Sequence, residues 1–243
     1  MSVVGSELTR VPAAAYACVR ATTKPDTSPL YSSHRMSYHE SMNPATHPPA
    51  GEAARIVLVR HGRSAHRDDG RWIPGTRVPD HERRYDAAGL LDGDLPPSEL
   101  AELARRADIL ASSDLPRAIE SARRLVPGRD PLIVPMLREI TLEPPAWMAI
   151  PLPVGAWDAL TFARWTVRLA LGAGHEVVDR ADVAADWLVE RAGGGGIVVA
   201  VTHGGFRRIV ASRLRSRGWR RGVRVMGYAN WSAWSISAPV PGA

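Results

Sequence analysis

Apolar residues along this chain fall into two patterns, short unbroken runs and stripes spaced three and four residues apart. The runs Ile56-Val57-Leu58-Val59 and Ile197-Val198-Val199-Ala200-Val201 read as strands buried on both faces, as in a parallel sheet. Asp108 to Ser113 reads as a shorter strand, and Tyr228 to Ile236 as a final one. Leu132 to Leu137 reads as a third strand that Pro135 demotes toward an edge or bulge. Helical stripes lie between them. Ser98 to Ala107 carries Leu100, Leu103, Ala104 and Ala107 on one face, with acidic residues early and arginines late. Pro116 opens a helix to about Leu125. Asp158 to Leu171 puts Leu160, Ala163, Val167, Ala170 and Leu171 on one side, stopped by Gly172 and Gly174. Ala181 to Ala192 buries Val183, Ala184, Trp187 and Leu188, and a last helix runs from Gly205 to about Arg217. Alternating strands and helices predict an α/β fold, a three-layer α/β/α sandwich with a mostly parallel sheet.

The remaining segments lack either period. Residues 63–96 are rich in Gly, Pro, Asp and Arg and read as a long loop over the site. Residues 143–157, with four prolines, Trp147 and Trp157, read as an extended aromatic insert suited to a lid. The tract Gly193 to Gly196 lacks a Lys-Ser/Thr ending and precedes a strand, so it is a flexible turn rather than a phosphate loop. Residues 1–53 hold Ser, Thr, Pro, His and Ala without a sustained period. They are expected to be a disordered extension, or in part a translation artefact given Met36 and Met42, with one folded domain over 54–243. No apolar run nears the ~20 residues that span a bilayer, and Cys18 is the only cysteine, which fits a cytoplasmic protein.

The formal charge is +6, and every basic residue except Lys24 is an arginine. Guanidinium groups bind phosphate in bidentate fashion, so the bias suits anionic ligands, although compositional drift accounts for most of it. Eight arginines lie between Arg207 and Arg224. The last helix assigns Phe206, Ile209, Val210 and Leu214 to the core and Arg207, Arg208, Arg215 and Arg217 to solvent. Without interleaved aromatics or a recognised motif this is a solvated basic face, which argues against nucleic acid.

The chemistry gathers at strand ends. The first strand ends in Arg60-His61-Gly62, and about 140 residues later the second ends in Thr202-His203-Gly204. Open α/β sheets hold ligands at the carboxyl ends of their strands, which aims two imidazoles at one crevice. A neutral imidazole beside a cation is a competent nucleophile toward phosphorus. Arg117 falls in the first turn of a helix, where guanidinium and amide donors together hold an anion. Glu139 follows the third strand; in a dry pocket its carboxyl could give a proton to a leaving oxygen, and an ion pair with Arg138 or Arg117 is the alternative. Such a set describes a phosphoryl pocket that needs neither metal nor cofactor, and the other histidines (His34, His39, His47, His66, His81 and His175) show no ligand spacing.

Four blocks in this order make the chain resemble the histidine phosphatase superfamily, which includes the cofactor-dependent phosphoglycerate mutases. They are Leu58-Val59-Arg60-His61-Gly62-Arg63-Ser64, Ser112-Ser113-Asp114-Leu115-Pro116-Arg117-Ala118-Ile119-Glu120-Ser121-Ala122, Leu137-Arg138-Glu139-Ile140 and Val201-Thr202-His203-Gly204-Gly205. The resemblance implies a phosphoglycerate mutase-like fold and a phosphohistidine on His61. It implies that Arg60, Arg117 and His203, with Ser64 and Gly204, hold the phosphate, and that Glu139 acts as acid and then base. The substrate it implies is a small phosphorylated molecule or a phosphoprotein. Where the family often has asparagine this chain has Arg67. Tyr85-Asp86-Ala87-Ala88-Gly89-Leu90 and Glu143-Pro144-Pro145-Ala146-Trp147 replace two further family segments. These departures fall in substrate-side loops and argue against a glycolytic mutase. Besides a phosphomonoester hydrolase, the sequence allows a mutase or protein-phosphohistidine phosphatase, and a catalytically silent polyanion-binding module. It is silent on oligomeric state.

Overall fold

A computed structural model describes residues 53–66, 71–141, 148–171, 173, 175–225 and 229–239. All of them belong to the compact unit Ala45–Ala243. Residues 1–52 of the extension expected over 1–53, Arg67 and the prolines and tryptophan of 142–147 lie outside the described residues.

Among the described residues the strands are β1 (Arg55–Arg60), β2 (Trp72–Pro74), β3 (Ile109–Ser112), β4 (Leu132–Ile133), β5 (Pro151–Pro153), β6 (Ile197–Thr202), β7 (Arg220–Val225) and β8 (Ala233–Ser237). The helices are α1 (Val78–Ala87), α2 (Ser98–Arg105), α3 (Pro116–Leu125), α4 (Val154–Ala170), α5 (Glu176–Arg191) and α6 (Phe206–Ser216). The main sheet runs β4-β3-β6-β1-β8-β7, and a separate ribbon pairs β2 with β5. Neighbours from β4 to β1 are parallel, while β8 is antiparallel to β1 and to β7.

The unbroken apolar runs sit at the centre because both faces of the sheet are covered. Ile56, Leu58, Val198 and Ala200 pack toward α5 and α6, while Val57, Val59, Val199 and Val201 pack toward α2 and α3. Two helical layers around a mostly parallel sheet are the three-layer sandwich the alternation predicts. No helix among the described residues is long and apolar enough to cross a membrane.

Local structure departs from the sequence reading in several places. The segment 63–96 is not an irregular loop, for it contains β2, a 3-10 turn at Gly75–Arg77 and all ten residues of α1. Pro79, near the start of α1, supplies the preset φ of a first helical turn, and a proline-rich composition concealed it. The third strand stops at Ile133, after which Pro135 begins a 3-10 turn over Pro135–Leu137. Proline lacks the N–H a ladder needs, so the chain leaves the sheet and Glu139 follows a turn rather than a strand.

Helix α4 begins at Val154, and its inward face is Val154, Trp157 and Thr161 instead of the predicted leucine and valine stripe. The Trp157 Nε1 donates to the Ile73 carbonyl at 2.8 Å. Val167 is 56% exposed, and most of its neighbours from Ala163 to Arg168 are exposed as well. In α5 the buried positions are Ala181, Ala184, Ala185 and Leu188, with Val183 facing outward. Arg207 was expected in solvent and is 0% exposed. Its guanidinium donates to the Ser232 carbonyl and hydroxyl at 2.8 and 2.7 Å, which satisfies the charge inside the core. The expected final strand begins at Ala233, as β8, with Tyr228 outside the described residues, and β7 beside it is a strand the sequence reading did not predict.

Candidate active site

Sheet register builds the site. Arg60 of β1 pairs with Thr202 of β6, and Ser112 of β3 pairs with Val201. The next residues, His61, His203 and Ser113, therefore leave three adjacent parallel strands at one level. The His61 N–H donates to the Thr202 carbonyl at 3.0 Å, and the Ser113 N–H donates to the Val201 carbonyl at 3.0 Å. As a result the two imidazole centroids stand 5.0 Å apart.

His61 is 2% exposed, and its Nδ1 lies 2.6 Å from the Gly62 carbonyl. A carbonyl can only accept, so Nδ1 carries the proton and Nε2 keeps its lone pair. The Asn230 amide donates to both the His61 and the Gly62 carbonyls at 3.0 Å, which braces the same turn. Trp231 closes it from below with φ of 61°, an uncommon backbone for a bulky residue, and its Nε1 donates to Asp94 at 2.7 Å. A side chain at Gly62 would meet Trp231 at 2.5 Å and Asp94 at 2.6 Å, so only glycine fits beside the imidazole.

His203 is 0% exposed, with Nε2 in a 2.7 Å hydrogen bond with the Ser113 hydroxyl. Its Nδ1 has no partner among the described residues, nor does the buried Nε of Arg117. Buried polar atoms are almost always paired, so two orphans in one site mark where an oxyanion would bond.

Arg117 extends from the first turn of α3 and is 1% exposed. Its fork donates to the Tyr85 carbonyl at 2.8 Å and to Asp86 at 3.0 Å, and it lies 4.1 Å from the Tyr85 ring centre. Those acceptors come from α1, the helix the sequence reading missed. Arg60 packs against Gly204, where an added Cβ would approach its Nε at 3.3 Å. Glu139 does not pair with Arg138, which bonds Asp114 instead. Its Oε2 accepts from the Gly205 N–H at 3.0 Å, and its Oε1 accepts from Phe206 and Ile140 at 2.7 and 3.0 Å. The carboxylate thus seats the start of α6, and Oε2, with one donor, keeps the more open lone pair.

A cavity of about 570 Å3 fronts this cluster, lined by Arg60, Tyr85, Arg117, Glu139 and Gly204, with Trp157, Asp158 and Phe162 beyond. The imidazoles lie behind those residues. Ser64 stands apart from the cavity lining, bridged to Leu90, and its hydroxyl accepts from the His66 N–H at 3.2 Å. Among the described residues no group of three histidines, cysteines or acids is placed to hold a metal.

Burial pushes His61 down to about 3, helped by the positive fields of Arg117, Arg60 and Arg207 and opposed by the Gly62 carbonyl. His203 is lowered as well, first by burial and then by His61 and the arginines. Both rings are therefore neutral near pH 7. His61 has a folded value below its unfolded 6.5, so the unfolded chain binds more protons between about 3 and 6.5. Stability from this site is whole above pH 6.5 and drains away as pH falls toward 3. The unfolding midpoint of His61→Asn is expected to fall less steeply from pH 7 to pH 4 than that of the wild type. Parallel curves for the two proteins would take His61 out of this linkage.

Comparison with known proteins adds a family. The model of the histidine phosphatase superfamily (branch 1) matches residues 56–237. No curated protein matches the chain. Among solved structures, a mutant phosphoserine phosphatase from Entamoeba histolytica with phosphoserine is 13% identical, with 74% of this chain and 89% of that chain covered and a TM-score of 0.45. A mycobacterial glucosyl-3-phosphoglycerate phosphatase with VO3 is 22% identical, with 76% and 93% covered and a TM-score of 0.45.

Proposed function

This chain belongs to the histidine phosphatase superfamily, branch 1, and from that membership we propose that it hydrolyses phosphomonoesters through a phosphohistidine on His61. The observation that carries the reading is the pair of imidazoles 5.0 Å apart, one with Nε2 open and the other with an orphan Nδ1 beside the orphan Nε of Arg117.

The reaction takes two displacements. In the first, the His61 Nε2 lone pair forms a bond to phosphorus while the ester P–O bond breaks. The leaving oxygen takes a proton delivered by Glu139 through Oε2, its less engaged oxygen. Nδ1 keeps its proton on the Gly62 carbonyl, and that acceptor steadies the positive charge of the phosphorylated ring. In the second displacement water attacks phosphorus, gives a proton back to Glu139, and the P–N bond breaks to release phosphate and neutral His61. Arg60, Arg117 and His203 surround the equatorial oxygens, where fixed donors lower the barrier by meeting charge as it develops. Gly204 allows Arg60 to approach closely. Ser64, outside the cavity lining, acts through the turn that carries His66. The chemistry is assigned to one domain over 54–243, acting on a small phosphorylated molecule.

Labelled substrate, quenched in alkali during turnover, is expected to leave phosphate on His61, since phosphoramidates survive base. Release of phosphate with no labelled residue would sink the intermediate. Glu139→Gln keeps a hydrogen-bonding side chain at the start of α6 and removes the transferable proton. Its loss is expected to be about 10²-fold or more with an alkyl phosphate and much smaller with a nitrophenyl ester, whose leaving group needs no proton. Equal losses for both esters would assign Glu139 to structure alone.

A further inference from the structure

The face of α6 turned toward the edge of the sheet borders a second cavity, of about 260 Å3, lined by Arg208, Ala211, Arg215, Arg221, Trp234 and Ile236. Arg208, Ala211 and Arg215 follow one another at spacings of three and four on α6, so they share one face. The small alanine leaves room between two guanidinium groups. Across the gap, Arg221 of β7 lays its guanidinium over the Trp234 indole, 4.1 Å from the ring centre. The buried Arg207 stacks on the same ring at 4.2 Å. Stacking of this kind fixes the plane of a guanidinium. Between Arg221 and Arg224 the register slips by one residue against β8, a bulge of the kind that turns side chains away from regular pleating.

The arginines of this region are not equivalent. Arg213 and Arg217 are committed to Asp182 and Asp186 of α5. Arg215 is exposed on the same helix and has no carboxylate within ion-pair distance among the described residues. The described residues that line the cavity include three arginines and no acid. Arg208 also lines the larger cavity in front of His61, so the two spaces share a wall.

We propose that this cavity is an accessory binding site for a phosphate-type oxyanion, distinct from the one facing His61 and joined to it through Arg208. Its lining holds no imidazole, thiol or carboxylate, so it binds the anion without cleaving anything. The occupant is a tetrahedral oxyanion, supplied either as inorganic phosphate or as the second phosphate of a bisphosphorylated substrate. The site does not depend on hydrolysis at His61.

Calorimetric titration of the full chain with inorganic phosphate tests it, in the wild type, Arg117→Ala and Arg215→Gln. Arg215 is exposed, so its replacement leaves the core intact. Two binding events are expected in the wild type. The accessory one survives Arg117→Ala and becomes about tenfold weaker in Arg215→Gln, the cost of one charge-assisted contact. Steady-state kinetics with a monophosphate and a bisphosphate of one diol then separates the sources. A rise in KM confined to the bisphosphate identifies the substrate's second phosphate as occupant. Unchanged KM for both, with the calorimetric loss, identifies free phosphate. A single event that ignores Arg215→Gln and vanishes in Arg117→Ala overturns the accessory site. Absence of turnover with the second event intact would sink the hydrolase reading and leave this one standing.

Discussion

His61→Ala is expected to lower turnover of any phosphate ester by about 10⁴-fold or more, the scale on which enzymes lose a covalent nucleophile. The expectation rests on the lone pair of Nε2. The Gly62 carbonyl fixes the proton on Nδ1, and burial among arginines keeps the ring neutral, so a nucleophile is present near pH 7. Alanine removes that group and leaves no side chain to form the covalent bond of the first displacement. Phosphate binding should survive, because Arg117, Arg60 and His203 remain. The pair of results, chemistry gone and binding kept, distinguishes a lost nucleophile from a collapsed pocket. Residual activity within about tenfold of wild type would remove His61 from the mechanism, since such a loss is what a displaced contact gives. The same measurement separates the rival readings. Wild type and His61→Ala equally inert, with phosphate still bound, would make the protein a binding module. Exchange of phosphoryl groups between acceptors with little free phosphate would make it a mutase.

The two halves of this site differ in how far they could be read from the sequence. His61 and His203 announce themselves because a buried strand followed by an abrupt charged residue and a glycine is a local pattern. Arg117 is legible for a similar reason, since Pro116 marks the helix start that presents it. What the sequence does not carry is register: that Arg60 pairs with Thr202, and so sets the imidazoles level, is decided by packing on both faces of the sheet. Glu139 lines the cavity, yet the ion pairs expected for it do not form. Its oxygens instead meet the N–H groups of Gly205 and Phe206, distant donors exposed where α6 begins. Arg207 was misplaced because helical spacing alone puts it beside the exposed Arg208. The Ser232 acceptors, supplied by the residue just before β8, help make its burial tolerable. Tyr85 and Asp86 were hidden by a composition that resembles a loop. Asn230 and Trp231 left no signal at all, since bracing a turn through its carbonyls demands no motif.

Arg117→Ala is expected to slow turnover by at least about 10²-fold and to weaken phosphate binding in parallel. The guanidinium is almost wholly buried, and its Nε has no partner among the described residues while both terminal nitrogens bond to α1. A phosphoryl group entering the cavity therefore meets an arginine already oriented by the Tyr85 carbonyl, Asp86 and the Tyr85 ring. Little ordering is left to be done at the moment of reaction, and preorganised donors of this kind act mainly on the transition state. Asp86 is itself an anion on that fork, so Asp86→Asn should tighten phosphate binding modestly by relieving the competition. Arg117→Lys should recover only part of the loss, because an ammonium keeps the charge and forfeits the planar fork. Kinetics near wild type in Arg117→Ala, or full recovery in Arg117→Lys, would show that the arginine serves α1 rather than the transferring group.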